Sequence, residues 1–97
     1  MSDSVGIVIP HMESIEAQYY EAEDIIDEII EDLNSVRNVL NDYYLGLATD
    51  INDESLIRYI QHLEFLKSCC HVTGKYVRDS IVSLKYWDAI ASTTWQN

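Results

Sequence analysis

The feature that most constrains the fold of this chain is an unbroken heptad pattern in its first half. Between residues 12 and 43, apolar side chains recur at alternating steps of three and four residues. Such a pattern is typical of a long amphipathic helix that buries one stripe against another helix. No Gly or Pro interrupts it, and Pro10 lies just ahead, where its fixed φ suits a first helical turn. The sequence predicts a helix over about residues 10–44.

A second heptad pattern runs from Leu56 to Ala91. Between the two patterns, Gly46 can adopt the left-handed conformation that ends a helix, and several polar residues after it could cap a new one. We therefore expect a turn over about 45–52 and a second helix over about 53–92, with a start anywhere from 47 to 54.

The middle of the second pattern is built from small residues around Gly74. A helical Gly costs about 1 kcal/mol relative to Ala, so it calls for an explanation. Either the small residues let another helix approach closely, or the helix is kinked or split there. A split would give a third helix over about 75–92 that closes a three-helix monomer. The unbroken phase through Gly74 favours one continuous helix.

Two such helices joined by a short turn define an all-α fold, an antiparallel two-helix hairpin. Each stripe is wider than one neighbour can cover, and thin cores of this kind are often completed by oligomerisation. We expect pairing into a four-helix assembly, from a homodimer or from another hairpin. The expected interface residues are Ile25, Ile29, Val39, Tyr43, Tyr59, Leu63, Leu66, Val77, Leu84 and Trp87.

The net charge of −11 lies entirely in residues 1–50, which hold twelve acids and one cation. A chain so acidic lacks the basic surface that nucleic-acid binding requires, and anionic membranes would repel it. It also has no apolar run of about 20 residues that could span a bilayer. Most of the acids fall opposite the heptad stripe, where a solvated helix surface is a better explanation than a metal site.

Residues with catalytic or metal-binding chemistry are few. The sequence has no phosphate-binding Gly-rich loop, no zinc-protease helix motif and no nucleophile elbow. Cys69, Cys70 and His71 are consecutive, so on a helix they point in different directions and cannot share one tetrahedral ion with His62. We expect no cofactor, no metal and no enzymatic activity. Adjacent cysteines pair poorly, which suits synthesis in a reducing cytoplasm.

The central turn carries a family likeness. Two long amphipathic helices in about 100 residues, joined at Tyr44-Leu45-Gly46, resemble the WXG hairpin proteins of type VII secretion, which have Trp-x-Gly at this point. In this chain Tyr replaces the Trp of the motif. The resemblance implies a cytoplasmically made protein that pairs with itself, with a WXG-like protein or with the helical N-terminal domain of an LXG-type effector.

The resemblance also bears on export. The family's signal after the second helix is Tyr-x-x-x-Asp/Glu, whereas here Tyr76 is followed by Ser80 and Tyr86 by Ile90 at that spacing. The resemblance therefore implies an accessory that helps target or export a partner by a route without a cleaved signal peptide. An acidic inhibitor or immunity protein that binds a basic surface is the alternative, and an orphan structural dimer is a third hypothesis.

Overall fold

The chain consists of two α-helices in the computed structural model, which describes the backbone of residues 2–43 and 47–96 and the side chains of residues 5–43 and 53–93. Helix α1 spans Ser2–Tyr43 and helix α2 spans Leu47–Gln96. The two helices form an antiparallel hairpin, and no strand occurs in the described ranges. The predicted all-α hairpin is confirmed. The predicted turn motif, Tyr44-Leu45-Gly46, lies outside the described residues.

Helix α1 begins at Ser2 and not near residue 10, so Pro10 lies inside the helix and not ahead of it. A helical proline removes one backbone hydrogen bond, here the bond that the carbonyl of Gly6 would accept. Gly6 and Pro10 are both exposed, so water can bond to that carbonyl. This exposure explains why the first helix continues through a residue that was expected to mark its start.

Helix α2 is continuous through Gly74, which contradicts both a split helix and a third helix that folds back. Gly74 is buried, and a Cβ atom built on it would lie 2.9 Å from Cε1 of Tyr20 and 3.3 Å from Cβ of Tyr19. The predicted close approach of another helix is therefore correct, and that helix is α1 of the same chain.

The chain divides into two compact units, Ala22–Cys69 and Met1–Glu21 with Cys70–Asn97. We call them the turn-side unit and the terminal unit. A single domain over residues 1–97 stays a prediction. Within each unit α1 and α2 run antiparallel, as the paired residues show: Asp27 with Lys67 and Arg37 with Asp53 in the turn-side unit.

In the turn-side unit, the residues that are buried or half-buried at heptad spacing form what we call the contact row. Every second residue of the predicted stripe belongs to the contact row. At the positions between them, the contact row contains the residue that follows the predicted one in the sequence. Thus Ile30 and Arg37 are half-buried, whereas Ile29 and Val36 are exposed. The contact row comprises Glu23, Ile26, Ile30, Leu33, Arg37 and Leu40 of α1 with Asp53, Leu56, Ile60, Leu63 and Lys67 of α2.

The terminal unit shows the same rotation. Ile81 is fully buried, whereas Trp87, which the pattern placed in the stripe, is exposed. Glu16 is also buried, at 6% exposure, and its Oε2 accepts a hydrogen bond from Nε of Arg78 at 3.0 Å. A buried carboxylate requires such a partner, because an unpaired charge away from water is strongly unfavourable.

Candidate protein-binding surface

The polar contacts between the helices of the turn-side unit lie along one edge, which we call the polar edge. Arg37 binds both carboxylate oxygens of Asp53, through Nε to Oδ1 and through Nη2 to Oδ2 at 3.2 Å. Asn41 donates a longer hydrogen bond of 3.4 Å to Oδ1 of the same carboxylate. Farther along, Nζ of Lys67 lies 2.7 Å from Oδ1 of Asp27. The rotation of the contact row brings these charged side chains together.

These contacts shift the pKa values of three groups. The hydrogen bond from Arg37 lowers the pKa of Asp53 below its ordinary value, and the bond from Asn41 adds to the effect. The bond with Asp53 also raises the pKa of Arg37. The hydrogen bond to Asp27 raises the pKa of Lys67. The negative charges of nearby carboxylates contribute to the shift at Lys67, because they favour its protonated form.

The opposite edge of the turn-side unit is apolar. In an antiparallel pair, the residue that precedes each contact position points to the same edge from both helices. In this unit seven of the residues on that edge are large, apolar and exposed: Tyr43 is 80% exposed and Tyr59 is 64% exposed. This apolar edge consists of Ile25, Ile29, Val36, Val39, Tyr43, Tyr59 and Leu66.

Contiguous apolar side chains at helical spacing are the usual mark of a surface that binds another protein. The apolar edge offers a stripe about 27 Å long on α1, since its outermost members are 18 residues apart at 1.5 Å per residue. Two tyrosines, Tyr43 and Tyr59, belong to it. Aromatic side chains contribute large contact areas when a partner covers them.

The ten predicted interface residues divide into two groups in the structure. Seven are exposed, and of these only Trp87 lies in the terminal unit and not on the apolar edge. Leu63, Val77 and Leu84 are half-buried at heptad positions that face α1. These three therefore contribute to the hairpin itself. Val36 is the one member of the apolar edge that the sequence prediction did not include among the interface residues.

Acidic residues border the apolar edge along α1. Asp32 lies in the row of Ile25 and Val39, and Glu28 and Asp42 occupy the next row outward. None of these three acids forms an ion pair within the residues that the structure describes. The apolar edge is therefore flanked by uncompensated negative charge on its α1 side.

The cations of the turn-side unit are all engaged within the chain. Arg37 and Lys67 pair across the polar edge, and Nη2 of Arg58 lies 3.1 Å from Oε1 of Glu54 on the same helix. The unit holds no other Lys or Arg. No cation of this unit is therefore left to neutralise the acids beside the apolar edge.

The terminal unit also has exposed apolar side chains on α2. The rings of Tyr86 and Trp87 meet edge to face with centroids 5.5 Å apart. Beside them lies a shallow depression lined by Tyr86, Ala89, Ile90 and Thr93. All of its lining side chains come from one helix, so it is a surface feature and not an enclosed pocket.

Other kinds of site find little support in the described part of the chain. No group of three or more His, Cys, Asp or Glu side chains there has the geometry to hold a metal ion. Cys69 is exposed and Cys70 is half-buried, and both are free thiols. Among the described residues, neither helix has a segment that is long and apolar enough to cross a bilayer.

Comparisons with known proteins add no relative: no family model, curated protein or solved structure matches the chain significantly. The resemblance to the WXG hairpins therefore stays a prediction that rests on the turn motif and the heptads.

Proposed function

We propose that this chain is a protein-binding helical hairpin that packs the apolar edge of its turn-side unit against the helices of a partner. The observation that carries the proposal is the alignment of seven large, exposed apolar side chains along one edge, opposite the ion pairs. Covering that edge with two more helices would produce a four-helix assembly and remove the apolar surface from water.

The resemblance stated above gives the proposal a biological setting. The chain would be an accessory of a type VII secretion system that binds the helical N-terminal domain of an LXG-type effector, or another WXG-like protein, and assists its targeting or export. Such a partner offers long amphipathic helices, which can pack against this two-helix hairpin to complete a four-helix assembly. In this role the chain needs no catalytic group and no cofactor.

The experiment is co-expression with the helical domain of an LXG-type effector, followed by measurement of the complex in solution. We expect a stable 1:1 complex with the wild-type chain. The double variant Val36→Glu/Tyr59→Glu should lose it, because binding would bury two carboxylates in an apolar interface. The variant Asn34→Glu/Gln61→Glu adds the same charge at exposed positions off the apolar edge, and it should still bind.

Two outcomes would count against the proposal. Equal binding by both double variants would exclude the apolar edge as the surface used. A rigid monomer with no affinity for amphipathic helices would exclude the function itself. Circular dichroism of each variant establishes that both remain helical, so that a loss of binding cannot be attributed to unfolding.

An acidic inhibitor that binds a basic surface is the second candidate. The observation that favours it is that Glu28, Asp32 and Asp42 form no ion pair within the described residues. The dependence of binding on salt concentration distinguishes the two functions. Binding through carboxylates alone would be lost between low and moderate ionic strength, whereas burial of the apolar edge should persist. An inhibitor of this kind would also tolerate Val36→Glu/Tyr59→Glu.

A further inference from the structure

The charge distribution around the apolar edge specifies what kind of helix can cover it. Residues 22–43 of α1 carry seven acids and one cation, and that cation, Arg37, is already bound to Asp53. Arg58 and Lys67 of α2 are likewise paired with acids of the same chain. Any partner that lies along the edge therefore meets carboxylates on the α1 side that have no ion pair among the described residues.

We infer that the partner on the apolar edge is a helix of another protein whose apolar stripe is flanked by Lys or Arg, and not a second copy of this chain. The inference rests on the proposed function and adds the chemistry of the partner. Cations spaced about a heptad apart on such a helix would pair with Asp32 and with the outer-row acids Glu28 and Asp42.

A second copy fits this surface poorly. It would bring the same seven acids of residues 22–43, and the turn-side unit has no Lys or Arg outside an internal ion pair. Each copy carries a net charge of −11, so self-association would bring two strongly acidic chains together. Like charges at close range disfavour such a pairing, and the effect weakens as salt is added.

The test uses two synthetic helical hairpins with the same apolar stripe, about four heptads per helix. One hairpin has Lys at the positions flanking the stripe, and the other has Glu there. A third peptide keeps the Lys residues but has its apolar residues scrambled, so it measures attraction to negative charge alone. Binding to the full chain is measured by calorimetry.

We expect the Lys-flanked hairpin to bind roughly tenfold or more tightly than the Glu-flanked one at low salt, because several partly exposed ion pairs act together. The scrambled peptide should bind more weakly than the Lys-flanked hairpin at every salt concentration. The variant Glu28→Lys/Asp32→Lys/Asp42→Lys should reverse the preference. The variant Glu13→Lys/Glu64→Lys/Asp79→Lys, which has the same net charge but changes exposed acids elsewhere, should keep it.

The labelling rate of Cys69 reports whether the partner helix binds at the apolar edge. Cys69 is exposed and lies two helical rows outside the contact row on the same side as Leu66, so a bound helix should slow its reaction with a maleimide. Half-buried Cys70 serves as the internal reference. Protection of Cys69 by the Lys-flanked hairpin would support the inference, and unchanged labelling in a saturated complex would contradict it.

The remaining outcomes separate the inference from the function on which it rests. If both hairpins bind equally well and Val36→Glu/Tyr59→Glu abolishes both interactions, the apolar edge binds helices but the basic partner is wrong. If neither hairpin binds, the proposed function fails as well. A stable homodimer in sedimentation, with Cys69 protected in the absence of peptide, would assign the edge to a second copy and overturn the inference.

Discussion

Gly74 of α2 packs directly against the ring of Tyr20 of α1, so that a Cβ atom at position 74 would lie only 2.9 Å from Cε1 of that ring. This contact lets the two helices of the terminal unit approach closely. Its importance can be measured, because Gly6 is a helical glycine of the same chain with nothing within 4 Å of its built Cβ atom.

We predict that Gly74→Val lowers the free energy of unfolding by about 1–3 kcal/mol, because the new side chain overpacks the contact with Tyr20. Gly6→Ala should raise the free energy of unfolding by about 0.5–1 kcal/mol, through helix propensity alone. Urea denaturation checks both values. A Gly74→Val variant as stable as the wild type would mean that the helices are not close at this point.

The second prediction concerns the buried carboxylate of Glu16 and its partner Arg78, whose side chain is 46% exposed. Arg78→Met leaves a charge buried without a partner and should cost about 1–3 kcal/mol. Glu16→Gln leaves only a half-exposed guanidinium, which water can solvate, and should cost less. The double variant Glu16→Leu/Arg78→Met should recover much of the loss. Thermal denaturation of the three variants tests this order, and a larger loss for Glu16→Gln than for Arg78→Met would contradict it.

The third prediction concerns pH. Because the pKa of Asp53 is lowered below 3.8 in the folded chain, its ionised form contributes stability above the unfolded value. That contribution is lost as the pH falls through the lowered pKa. The difference in unfolding free energy between the wild type and Asp53→Asn should therefore be present at neutral pH and shrink as the pH falls below 3.8. Asp42→Asn removes an exposed carboxylate that forms no ion pair among the described residues, and it serves as the control variant. A difference for Asp53→Asn that is independent of pH would contradict the role of the Arg37 pair.

The fourth prediction concerns Asp88, which lies at a heptad position facing α1 in the terminal unit. Its Oδ1 atom is buried and has no hydrogen-bond partner in the described structure. Asp88→Leu should raise the unfolding free energy by about 1–3 kcal/mol, because it removes an unsatisfied polar atom and adds apolar packing. Asp79→Leu changes an exposed residue of the same helix and should have little effect. A lower melting temperature for Asp88→Leu would indicate that this carboxylate has a partner in solution.

Much of the fold could be predicted from the heptads, because a 3-4 pattern without a break leaves few alternatives to a long helix. The continuity of α2 through Gly74 could be predicted in the same way, because the 3-4 pattern continues through that residue. The start of α1 could not be predicted, since Pro10 is compatible both with a first turn and with an exposed position inside a helix. The choice between them depends on the exposure of Gly6 and Pro10, which sequence patterns do not reveal.

The rotation of the contact row also could not be predicted from the sequence. The apolar stripe of α1 is wide enough for more than one inward direction, and hydrophobicity alone favours Ile29 and Val36. The structure instead turns Ile30 and Arg37 toward α2, where Arg37 can reach Asp53. The rotation that allows these polar contacts therefore leaves a row of apolar side chains exposed to solvent. Pattern analysis identified most members of the apolar edge, but not the geometry that exposes them.

The internal pairing of Arg37, Arg58 and Lys67 has a kinetic consequence. With those cations neutralised, the field around the turn-side unit is set by its surplus carboxylates and extends about 10 Å at moderate ionic strength. A cationic helix would be steered toward the unit before any apolar side chain touches. Encounter rates should therefore depend on salt, whereas the lifetime of the complex should depend on how well Tyr43 and Tyr59 are covered.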